Sequence, residues 1–113
     1  MPFSLKERRS GPVLILELAG RLTMGEGTDK LDATLQKLIA AGERQLLLDC
    51  AGVSSIDSQG IKSIVWGVTS VGKRGGKLKL LKVSSRVREV LDITRLLTVI
   101  EAFDDEAAAM RSF

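Results

Sequence analysis

The stretch Leu46-Leu47-Leu48-Asp49-Cys50-Ala51-Gly52-Val53-Ser54-Ser55-Ile56-Asp57-Ser58-Gln59-Gly60-Ile61 passes from an apolar run, through polar residues, into a pattern that opens a helix. Gln45–Cys50 has the length and apolar content of a buried strand, and Ala51–Asp57 reads as a polar connection. Beyond it Ile61, Ile64, Val65, Val68 and Val71 or Gly72 recur at helical spacing. Asp57 stands where a helix N-cap belongs, its carboxylate positioned to accept from the amide of Gln59 or Gly60. Ser58 then occupies the first helical position, and its hydroxyl projects from the helix mouth. Free amides and the positive end of the helix dipole make that mouth receptive to an anion, so a phosphate at Ser58 would be tolerated without unfolding the helix.

Working outward, Ser4–Arg9 and Val13–Leu18 flank Ser10-Gly11-Pro12 and are expected to pair as a hairpin. Val13–Leu18 is nearly continuous in apolar residues, which suits a strand in the middle of a sheet. Gly20–Gly27 reads as a loop, and Leu31, Leu35, Leu38 and Ile39 mark a helix capped by Thr28, with Asp29 in its first turn and Gly42 just past its end. After Arg74-Gly75-Gly76 comes a strand at Lys77–Leu81. A helix capped by Ser84 or Ser85 follows, then a brief strand at Leu97–Ile100 and a closing helix from about Asp104. Alternation of this kind predicts an α/β fold, a mixed and largely parallel sheet with an N-terminal antiparallel hairpin and flanking helices. No repeat or linker divides it, and residues 1–113 are expected to form one domain.

The 113 residues, 44% hydrophobic and 27% charged, are enough to bury roughly two-thirds of the unfolded surface in a single core. Cys50 has no second cysteine to bridge to, and it reads as a small buried hydrophobe. The chain has no histidine, which removes the commonest general base and zinc ligand and argues against hydrolytic triads, zinc chemistry and enzyme activity of its own. No apolar run approaches the roughly 18 residues of a membrane span, and no signal peptide is evident, so a cytoplasmic location is expected. The net charge of +3 is small for a nucleic-acid binder, and one Trp and three Phe give no stacking pattern. Lys73, Arg74, Lys77, Lys79, Lys82, Arg86 and Arg88 read as a solvated face, in which Lys77, Lys79 and Lys82 either contact acidic partners or membrane headgroups or guard a sheet edge.

Two phosphate-binding look-alikes fail on context. Gly67–Lys73 begins like a P-loop, but Arg74 replaces the magnesium-binding hydroxyl and the segment lies inside a helical pattern. Gly25-Glu26-Gly27 lacks the third glycine of a dinucleotide fingerprint, where Lys30 stands. No cofactor is implied.

Asp49, Gly52, Val53, Ile56, Asp57, Ser58, Gly60 and Ile61 together resemble the signature of the STAS domain family, the anti-sigma factor antagonists: an apolar strand ending in Asp, a polar loop, then Asp-Ser-x-Gly-hydrophobic. The resemblance extends to the opening hairpin, Gly20-Arg21-Leu22, the Leu31–Ile39 helix and Gly75-Gly76-Lys77-Leu78. It implies a partner-switching module in which Ser58 is the phosphoacceptor. The partner would be an anti-sigma factor that is also a serine kinase, bound by the unphosphorylated form so that the sigma factor is released, with a phosphatase as a further partner. No nucleic acid is implied as a direct partner, and no membrane span is implied. Family members often carry Asp where this chain has Thr23, and a second serine where it has Gln59. The alternative within the same family is a subunit without a phosphorylation cycle that regulates a transporter ATPase or a signalling assembly.

Helical rotation places Ser58, Lys62, Trp66, Thr69 and Lys73 on one strip beside the apolar stripe. Together with the resemblance this implies Asp57, Gln59, Gly60, Lys62, Trp66 and Thr23 as the partner-binding residues around Ser58, with Trp66 either an aromatic anchor or packed under a neighbouring loop or helix.

Overall fold

The computed structural model describes residues 2–113. The hairpin forms as expected: β1 (Ser4–Ser10) runs antiparallel to β2 (Val13–Leu22), with Ser10 opposite Val13. Gly11 takes φ 58 in the two-residue turn, a conformation that side chains disfavour. The chain continues through α1 (Glu26–Ala40), β3 (Gln45–Ile56), α2 (Ser58–Gly72), β4 (Lys77–Leu81), α3 (Ser85–Ile93), a 3₁₀ turn (Leu96–Thr98), β5 (Ala102–Phe103) and α4 (Glu106–Arg111). The five strands lie in the order β1-β2-β3-β4-β5, and every pairing after the first is parallel.

Strand alternation sends side chains to two cores. Leu14, Leu16 and Leu18 of β2, with Leu46, Leu48 and Cys50 of β3, pack beneath α1 and α2. Val13, Ile15, Leu47 and Leu81 face the other way, where Ala109, Met110 and Phe113 cover them. Burial on both faces accounts for the continuous apolar reading of β2. It also pushes the Cys50 thiol up to about 12, chiefly by desolvation and then by the nearby Asp49, leaving it unreactive at neutral pH.

Several elements depart from the sequence expectation. The Ala51–Ile56 segment is the second half of β3 rather than a connection, paired with β2 as far as Leu22 opposite Ile56. Only Val53 of that half is buried, so its polar neighbours are the wet side of a strand. Gly20 correspondingly belongs to β2, and α1 starts at Glu26 with Gly25 as its N-cap. Thr28 is not the cap but a buried first-turn residue, because Gly27 brings the helix against β2: a Cβ there would sit 2.2 Å from the Arg21 carbonyl oxygen. Gly42 closes α1 as expected, its amide donating to the Ile39 carbonyl at 3.1 Å. Ser84 caps α3, accepting from the Val87 amide at 3.2 Å. The Leu97–Ile100 strand does not form. Amides of Val99 and Ile100 both donate to the Leu96 carbonyl, coiling the segment locally, and the strand comes later at Ala102–Phe103.

Lys79 is the largest departure. With β5 added, β4 is an inner strand, and Lys79 is 3% exposed. Its ammonium donates to the Ser112 carbonyl (2.8 Å) and Oγ (2.9 Å), pairs with Glu101 at 3.3 Å, and lies 4.9 Å from the Phe113 ring centroid. It pins the C-terminal segment to the sheet instead of guarding an edge. Among the described residues no helix is long and apolar enough to cross a membrane.

Candidate functional site

The site is assembled where β3 hands the chain to α2. Asp57 has extended backbone angles, φ −118 and ψ −173, and its Oδ1 accepts from the Gly60 amide at 2.9 Å. This is the cap that the sequence predicts. Because Asp57 fills that role, Ser58 begins the helix with its hydroxyl left out of the cap, and Ser58 is exposed.

The other carboxylate oxygen, Oδ2, accepts from the Met24 amide at 2.9 Å, across 33 residues of sequence. The bond fastens the turn between β2 and α1 to the head of α2. Donation from Met24 first, and from Gly60 second, holds the Asp57 carboxyl below its ordinary value, so it is ionised at neutral pH. Thr23 is thereby brought beside the site, half-buried, while Met24 stands out at 72% exposure. Met24 is the neighbour that sequence reasoning missed. It is recruited through a backbone N–H, which leaves no trace in residue type.

Gly60 is buried, and a Cβ there would lie 2.2 Å from the Leu22 carbonyl oxygen and 2.7 Å from Ile56 Cγ1. Absence of a side chain lets the first turn of α2 press onto the ends of β2 and β3. Ser58, Lys62, Trp66, Thr69 and Lys73 are all exposed, as the helical rotation requires. Gln59, Lys62 and Trp66 come together in a depression whose opposite wall is Asp32 and Gln36 of α1. The structure thus gathers every expected residue around the head and outer face of α2, with Thr23 joined through the loop.

A largely parallel sheet opened by a hairpin, carrying a strand–Asp-Ser–helix turn at one end, defines a class of small α/β domains. The STAS domain model matches residues 5–109, and the chain belongs to that family. BtrV of Bordetella bronchiseptica, assigned as an anti-sigma factor antagonist, is 27% identical over 85 residues, 75% of this chain and 73% of BtrV. An anti-sigma factor antagonist from Mycobacterium paratuberculosis has the same fold, with a TM-score of 0.87 at 16% identity over 97% of this chain and 92% of that one. SpoIIAA of Bacillus has a TM-score of 0.74 in both its forms. The unphosphorylated form is 17% identical, covering 97% of this chain and 94% of SpoIIAA, and the phosphorylated form 20% identical, covering 98% and 99%.

Proposed function

We propose that this protein is an anti-sigma factor antagonist, a binding module and kinase substrate whose docking is switched at Ser58. The observation that carries the reading is a serine hydroxyl exposed at a helix N-terminus and relieved of capping by its neighbour Asp57. The name of BtrV and the two forms of SpoIIAA support it.

In the unmodified state the surface around Ser58, formed by Met24, Gln59, Lys62 and Trp66, docks on the anti-sigma factor and frees the sigma factor. The same partner, acting as a serine kinase, transfers the γ-phosphoryl group of ATP to Ser58 Oγ. The hydroxyl proton leaves and ADP is the other product. About −1.5 to −2 charge then stands at the helix mouth, where the dipole and first-turn amides tolerate it. Docking fails because the dianion and the ionised Asp57 face the partner together and because the added bulk intrudes on the contact. A coupling of roughly 1–3 kcal/mol changes affinity by about 5- to 150-fold, enough to move a partner between two competitors.

The test is a pull-down with the anti-sigma factor kinases of the source organism, using Ser58→Ala and Ser58→Asp. Ser58→Ala retains a partner that Ser58→Asp loses, and mass spectrometry after incubation with that kinase finds phosphate on Ser58 alone. Consistent absence of phosphate from Ser58 overturns the reading in favour of a subunit that regulates a transporter ATPase or a signalling assembly.

A further inference from the structure

Two depressions, of about 290 and 310 Å³, lie end to end between α1 and α2 and share Gln36 and Trp66. The first begins at Gln59, next to Ser58, and carries Lys62; the second has Ile39 and Ala40 on its wall and ends at Lys73 and Arg74. Trp66, 40% exposed, stands between them as the one large apolar surface of the groove. Arg74 is held in place by donation from Nη1 to the Ile39 carbonyl at 3.0 Å. Three cations, Lys62, Lys73 and Arg74, thus line a groove whose walls contribute one carboxylate, Asp32.

We infer that this groove receives an acidic amphipathic helix of the same anti-sigma factor, an inference that rests on the function proposed above. Lys62, Trp66 and Lys73 stand at i, i+4 and i+11 on one face of α2 and span about 16 Å. A facing helix matches them with two acidic positions three turns apart and an apolar residue between, seated against Trp66. Charge complementarity selects an acidic segment over a basic one, and the apolar centre supplies the anchor that such interfaces need. The contact extends four turns from Ser58, well beyond the hydroxyl itself, and sets which anti-sigma factor is recognised.

Trp66 is the chain's sole tryptophan, and its emission reads the groove directly. Each purified anti-sigma factor kinase of the source organism is titrated into the wild-type protein, the Ser58→Asp variant, and the Lys62→Glu/Lys73→Glu double variant, whose exposed positions leave folding intact by circular dichroism. The expected result is a blue shift of Trp66 emission on binding the wild type and a roughly tenfold weaker affinity for the double variant. Trp66→Ala weakens binding by about 30-fold. A partner that loses affinity for Ser58→Asp, yet binds the double variant as tightly as the wild type without a Trp66 shift, overturns the groove and leaves the Ser58 reading standing. If no anti-sigma factor kinase binds any form, both fall.

Discussion

Asp57 joins two parts of the chain with one carboxylate, capping α2 through Gly60 and holding the turn at Met24. The Asp57-Ser58 pair was legible in the sequence because capping chemistry is local and residue-specific. The bond to Met24 was not, since any residue there offers the same backbone donor. The lowered Asp57 pKa has a signed consequence. Stability from the ionised carboxylate is complete above the ordinary value of 3.8 and is lost as pH falls below it through the folded-state value. Urea unfolding of wild type and Asp57→Asn should show a gap that is constant above pH 3.8 and narrows below it. A gap that ignores acid contradicts this account. Asp57→Asn should also speed hydrogen exchange at the Met24 amide.

At the scale of elements, α2 shows what periodicity reveals and what it hides. Its expected apolar stripe is real at Ile64 and Val71, but the face pressed hardest on the sheet includes Gly60, Ser63 and Gly67. Small residues allow close approach without registering as hydrophobic, so the helix was legible while its depth of packing was not. Gly60→Ala drives a methyl group into the Leu22 carbonyl and should destabilise the domain by about 3 kcal/mol in denaturant unfolding. An unchanged midpoint excludes the close packing on which the site depends. The long β3 escaped sequence reading for the opposite reason: its outer half hydrogen-bonds as strand while exposing polar side chains, and composition alone presents it as a loop.

For the whole molecule, the sheet buries two faces of unequal cover, one beneath α1 and α2 and the other beneath the short α4 segment. Fold class and hairpin followed from the alternation of apolar runs, but the second face depends on long-range contacts. Lys79 reads as a surface charge until Ser112, Phe103 and Phe113 are seen around it. Lys79→Ala should cost about 2–4 kcal/mol, by leaving a cavity and an unpartnered Ser112 carbonyl, and should raise hydrogen exchange in α4 before α2. Uniform exchange throughout the chain refutes the role of Lys79 as a fastener. That face lies away from the candidate site at Ser58, so such variants should preserve the proposed partner binding wherever the domain remains folded.

On this scaffold Ser58 is the proposed switch. Calorimetric titration of the anti-sigma factor with the domain, before and after stoichiometric phosphorylation at Ser58, tests that claim most directly. The account predicts tight binding by the unmodified protein and at least about fivefold weaker binding by the phosphoprotein, with its helix content intact. Equal affinities for the two forms, or weakening that comes with loss of helix, would contradict it.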